Sequence, residues 1–162
     1  MPAKRPKHPR SPASPPCLAH EIESAPPAPP AGRGFVLKRA YDPAGPADGY
    51  RVLVDRLWPR GLSKARARLD AWARELTPSD ALRRAFHADR SRWSEFERRY
   101  RGELGAQREA LEALRRRARR QRVTLVYAAR EATLNHAMIL LDVLTHGPGR
   151  PRPRAVPDDP LA

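Results

Sequence analysis

Cysteine is nearly absent, Cys17 being the only one in 162 residues. That excludes a disulfide within the chain and any thiolate metal cluster, and it favours a cytoplasmic location. Long apolar runs are missing as well. No stretch approaches the ~18–20 consecutive apolar residues of a membrane span, so no membrane partner is expected. The basic start, Met1 to Arg10, is not followed by an apolar segment, and a secretory signal is not expected. Familiar catalytic motifs are lacking too: no Gly-Lys-Ser/Thr phosphate loop, no Gly-x-Gly-x-x-Gly, no nucleophile elbow and no His-Glu-x-x-His. The five histidines stand at 8, 20, 87, 136 and 146, too scattered for a metal centre. No metal and no cofactor is therefore assigned.

What the chain has in excess is arginine and proline. Ten of its nineteen prolines fall in residues 1–32 and five in residues 147–162. Neither end carries an apolar period, so neither buries enough surface to offset the entropy of ordering. Both read as disordered Pro-rich tails around one domain at 33–146. The formal charge is +14, of which that central segment holds +11. Such a charge attracts nucleic acid or another polyanion. Of the 32 basic residues, 28 are Arg, beside abundant Ala and Pro. A GC-rich genome raises all three together, so the charge has a compositional source as well as a functional one.

Taken in order, Gly34 to Tyr41 reads as a first strand and Tyr50 to Leu57 as a second. The loop between them, Asp42 to Gly49, is shorter than a parallel crossover, so these strands are either antiparallel or not neighbours. The run Val52-Leu53-Val54 is apolar on both faces, as in the middle of a covered sheet. Ser63 suits an N-cap for a helix to about Leu76, with Ala65, Leu69, Trp72 and Leu76 on its buried face. Pro78 stops it, and Ser79 caps a shorter helix through about Phe86, with His87 as a C-terminal capping group. From Ser91 a long apolar stripe continues to Ala118, as one helix or as two broken near Gly105. Val123 to Tyr127 is a third strand. Thr133 is the expected cap of a last helix with Asn135 and His136 in its first turn. The result is a small single α/β domain, about three mostly parallel strands flanked by four to five helices.

Ligand sites in open α/β sheets lie beyond the carboxyl ends of the strands. Those ends deliver Arg39 and Tyr41, then Asp55, Arg56, Trp58 and Arg60, then Tyr127 and Arg130. The N-terminal end of the last helix adds Asn135 and His136, where unpaired N–H groups favour anions. Arg forks at such a place suit a phosphate or carboxylate, and Trp58 or Tyr127 would pack an aromatic or sugar group. Arg56 and Arg60 would bind the anion, helped by Arg39 or Arg130. Asp55 would orient Arg56 or act as general base, with His136 its titratable partner. The plainer alternatives are a structural Asp55–Arg56 salt bridge, a core Trp58 and a space-filling His136. Ser63-Lys64 has the residue types of a nucleophile and base, but Ser63 is taken by capping.

The segment Gly49-Tyr50-Arg51-Val52-Leu53-Val54-Asp55-Arg56-Leu57-Trp58-Pro59-Arg60-Gly61, preceded by Lys38-Arg39-Ala40-Tyr41-Asp42, resembles the YeaO-like proteins of the bacterial domain-of-unknown-function family 488. The likeness continues through Thr77-Pro78-Ser79, Leu82 to His87, Phe96 to Leu104, Leu125 to Ala129 and Asn135-His136-Ala137, and so covers nearly all of residues 34–145. It implies a small α/β domain in a bacterial cytoplasmic protein and supplies no substrate. Many members of that family lack Pro-rich ends, so the tails and much of the Arg excess look like additions of one lineage. The expected function is binding of a small anionic molecule, such as a nucleotide or phosphorylated metabolite, with catalysis left open. The alternative is a nucleic-acid-binding module acting through the basic helical face at 92–122, where eleven Arg stand against five Glu. No oligomeric state is assigned.

Overall fold

The computed structural model describes residues 32–149. The two Pro-rich tails read from the sequence lie outside the described residues, apart from Gly32 and residues 147–149. Four parallel strands form one sheet: β1 (Gly34–Arg39), β2 (Tyr50–Leu53), β3 (Ala71–Trp72) and β4 (Arg122–Tyr127), in the order β1-β4-β2-β3. Among the described residues five α-helices accompany it: α1 (Lys64–Ala67), α2 (Asp80–Ala88), α3 (Trp93–Ala106), α4 (Arg108–Ala118) and α5 (His136–His146). The class is α/β, as the residue pattern predicts. β1 and β2 are parallel and not neighbours, because β4 lies between them. Leu125 of β4 is in register with Leu37 on one side and Val52 on the other.

Alternation along the strands sends side chains into two layers. Val52, Val54, Val123, Leu125 and Tyr127 face the large core under α2–α5. Leu53 and Val126 face a thinner layer with Ala40, Leu62 and Ala67, packed by Trp58 and Trp72. Each of the fully buried Val and Leu side chains contributes about 1.5–3 kcal/mol. This two-sided burial is what the unbroken apolar runs of β2 and β4 encode.

The helix expected over Ser63 to Leu76 is the main correction. Ser63 does cap α1, accepting from the Arg66 N–H, but the helix ends after Ala67, where Arg68 turns into the left-handed region at φ 46°. The chain then runs along β2 as a fourth strand. Asp70 N–H donates to Arg51 O at 2.8 Å and Ala73 N–H to Leu53 O at 2.9 Å, while Asp70 Oδ2 accepts from Arg51 N–H at 2.8 Å. Continued helix would leave those groups of β2 unpaired, and a buried backbone group without a partner costs more than helical periodicity returns. The long stripe after Ser91 is two helices, parting at Gln107. Asn135, not Thr133, caps α5: its Oδ1 accepts from Met138 N–H at 3.1 Å.

Candidate functional site

The cleft lies beyond the carboxyl ends of β2 and β4 and has a volume of about 750 Å³. Its floor is built by Asp55. One carboxylate oxygen accepts from Ala128 N–H at 2.7 Å, tying the end of β2 to the end of β4. The other lies 3.1 Å from His136 Nε2. That same nitrogen is 2.8 Å from Val54 O, which can only accept, so Nε2 carries a hydrogen and the ring is fixed by β2. Nδ1 of His136 makes no hydrogen bond to the described residues. The main chain of Asp55 is held as well, its carbonyl accepting from the Trp72 indole at 2.7 Å.

Behind the imidazole stands a row of aromatic rings. Tyr100 meets His136 edge-on at 6.3 Å and continues through Phe96 to Phe86 and Trp93. Tyr100 is fully buried and donates to Leu76 O at 2.6 Å. Burial, reinforced by the negative charges of Glu103 and Asp55, holds its hydroxyl well above the usual phenol range. It is a fixed wall and a donor, not an acid or base at neutral pH.

Eight of the ten residues expected at the site line this cleft: Tyr41, Asp55, Arg56, Trp58, Arg60, Arg130, Asn135 and His136. Tyr127 does not, because its side chain falls on the face shared with Leu125 and enters the core. Arg39, in register with Tyr127, lies outside the cleft with its guanidinium 5.9 Å from the Tyr41 ring. Asp55 and Arg56 do not pair: Arg56 reaches Asp80 at 3.5 Å, and Asp55 takes His136. Asn135 is buried, and its amide donates to the carbonyls of Glu131 and Ala132, so all of it goes to structure. Trp58 is half-buried, donating to Leu62 O at 2.6 Å and meeting Trp72 edge-on at 5.6 Å. Asn135→Ala removes both the cap and the loop bonds and is expected to lower stability by about 1–3 kcal/mol, measured by urea unfolding.

Residues not anticipated complete the walls. Arg83, Phe86, His87 and Arg90 come from α2 and the turn after it, and Phe96 from α3. Their spacing of three, one and three marks one side of a helix, where basic groups beside a partly buried aromatic were the available signal. His87 faces the cleft rather than serving only the end of α2. Leu57 and Leu134 stand exposed at the rim. Among the described residues no group of three or more His, Cys, Asp or Glu side chains could hold a metal ion, and no helix is long and apolar enough to cross a membrane.

Three comparisons bear on this arrangement. A family model described as "Inactive DUF488-N3 subclade" matches residues 34–154. The uncharacterised protein YeaO of Escherichia coli is 47% identical over 107 residues, which are 66% of this chain and 93% of that protein. Uncharacterised proteins of Mycobacterium bovis and Mycobacterium tuberculosis are 41% identical over 108 residues, 67% of this chain and 91% of theirs. No solved structure matches the chain significantly. With the model match spanning the whole sheet and every wall of the cleft, the chain belongs to the YeaO-like DUF488 family.

Proposed function

We propose that the strand-end cleft binds a small anionic ligand, a nucleotide or phosphorylated metabolite, and that recognition rather than turnover is its task. The observation that carries this is the convergence of Arg56, Arg60, Arg83, Arg90 and Arg130 on one cleft against only Asp55 and Glu131. Guanidinium forks match phosphate and carboxylate oxygens in pairs. The apolar wall of Trp58, Pro59, Phe86 and Phe96 suits the flat or sugar part of such a ligand. Asp55 is already engaged by Ala128 and His136, which favours a role in shaping the floor over one in proton abstraction. The description of the matching subclade as inactive weighs the same way.

The second reading, nucleic acid on the 92–122 face, draws less support. Arg115 donates to Val143 O and Leu144 O at the end of α5, and Arg117 stacks on Tyr50 at 3.9 Å. Arg101 is buried between Glu97 and Asp142, and Arg92, Arg99 and Arg119 pair with Glu95 or Glu112. Six of the eleven Arg on that face are thus engaged within the fold.

The test is a thermal-shift series on the full chain with inorganic phosphate, adenosine and guanosine mononucleotides and short single strands, at low and high salt. A shift from a mononucleotide that survives salt and disappears in Arg60→Ala is expected. No shift from any of these probes, or a shift untouched by Arg60→Ala, would overturn the reading.

A further inference from the structure

The cleft does not end at Arg56. Beyond Arg56 and Leu57 the surface drops into a second open depression of about 630 Å³, walled by Arg74, Asp80, Arg83 and Arg84. Arg56, Leu57 and Arg83 belong to both depressions. Four guanidiniums thus surround a single carboxylate. Asp80 receives Arg83 at 3.2 Å and Arg56 at 3.5 Å through its side chain, and Arg84 Nε–H at 3.3 Å through its carbonyl. Arg74 is laid on the Trp72 ring at 3.7 Å, which orients its guanidinium without cancelling its charge. Exposed pairs such as these are weak, so Asp80 spaces the forks more than it neutralises them. In the shared wall Arg83 Nε is buried and has no hydrogen-bond partner among the described residues.

Leu57 lines both depressions and is 63% exposed, the most exposed large apolar side chain among those described. A ligand spanning both depressions would cover it.

We propose that the ligand of this cleft carries two phosphate groups separated by a sugar-sized spacer. One phosphate sits against Arg60 and Arg130, and the other against Arg74, Arg83 and Arg84, with Arg56 reaching either. The inference rests on the anionic-ligand reading above and deepens it. Leu57 and Arg56 line both depressions, so a spacer joining the two phosphates would cross them. A nucleoside phosphorylated at both its 5′ and 3′ positions has the required form, whether free or as one residue of a single strand.

The experiment is calorimetric titration of the full chain with adenosine 5′-monophosphate, adenosine 3′,5′-bisphosphate, pyrophosphate and a single-stranded tetranucleotide. The bisphosphate is expected to bind roughly ten-fold tighter than the monophosphate, as one further charge-assisted contact would give. Arg74→Gln with Arg84→Gln should remove that gain and leave monophosphate binding within about two-fold, while Arg60→Ala weakens both. Arg84→Gln alone, at an exposed position, repeats the comparison with the Arg74–Trp72 contact intact. A further gain from the tetranucleotide assigns the ligand to a strand, and its absence assigns a free nucleotide. Equal affinity for mono- and bisphosphate, both lost in Arg60→Ala, would overturn the second seat and leave the first standing. Pyrophosphate binding as tightly as the bisphosphate and insensitive to the double variant would also overturn it. No binding of any probe would overturn the anionic-ligand reading itself.

Discussion

Gly49→Ala is expected to be the most damaging single substitution in the domain, costing about 4 kcal/mol or more and reducing the folded yield. Gly49 sits at φ 64°, ψ −129°, a region that glycine alone occupies with ease. A Cβ there would come within 2.3 Å of Arg122 O and 3.1 Å of Arg122 C, both main-chain atoms of the residue that opens β4. Neither can move without disturbing the sheet, since Tyr50 pairs with Val123 at the next position. Gly61→Ala is the control. Its φ is 73°, but nothing lies within 4 Å of the added carbon, so only the backbone term of about 1 kcal/mol is expected. Urea unfolding of the two variants separates conformational strain from steric overlap.

Asp48→Asn is expected to cost about 3 kcal/mol at neutral pH. Asp48 is buried on the turn before β2, where it accepts from Gly45 N–H at 2.9 Å, from Lys38 Nζ at 2.9 Å and from Arg51 NH1. Arg51 is itself buried, with a side chain only 4% exposed, and among the described residues Asp48 is the one carboxylate paired with its guanidinium. The asparagine keeps the shape but leaves a buried guanidinium without a counter-charge. Burial alone would raise the Asp48 carboxyl, but the hydrogen bonds from Gly45 and Lys38 and the charges of Lys38 and Arg51 outweigh it and hold it below the usual range. The unfolded chain therefore binds the proton more tightly than the folded one. Its stabilisation is fully present above the ordinary carboxylate value of about 3.9 and is lost as pH falls through the lower folded value. The gap between wild type and Asp48→Asn should accordingly be widest near pH 7 and close on acidification. Acid unfolding should persist in the variant, because burial is likewise outweighed at Asp142, where hydrogen bonds from Arg101 and His146 and their charges keep the carboxyl low.

Much of the fold was legible because it depends on short-range chemistry. The apolar runs at Val52–Val54 and Val123–Tyr127 announce covered strands, and Ser63 and Ser79 announce helix starts, all of which the structure contains. β3 was not legible. Ala71 and Trp72 become a strand because Arg51 and Leu53, twenty residues earlier, present unpaired backbone groups along the edge of β2. No local pattern reports that demand. Thr133 and Asn135 are both good caps, and the choice between them depends on carbonyls three and four residues upstream that only an amide can also satisfy. At the cleft, the rule that ligands gather at strand ends pointed to the right edge of the sheet. It did not distinguish the two faces of a strand, and Tyr127 therefore lies in the core while Ala128 and Arg130 reach the cleft. The basic side of α2 around Phe86 could be marked out, but that it faces the strand ends could not, since its placement is decided by packing against α3.

The strand order has a consequence for how the chain is made. β4 is the last strand among the described residues and the central partner of both β1 and β2. As the polypeptide leaves the ribosome, more than eighty residues emerge between the start of β1 and the strand that joins it to β2. Until then both present open hydrogen-bonding edges, and the apolar Val52–Val54 run has no cover. Assembly of the sheet therefore waits on the final third of the described chain. The order of synthesis makes truncation before Arg122 the point at which a nascent copy is most exposed to chaperones and to aggregation with its neighbours on a polysome.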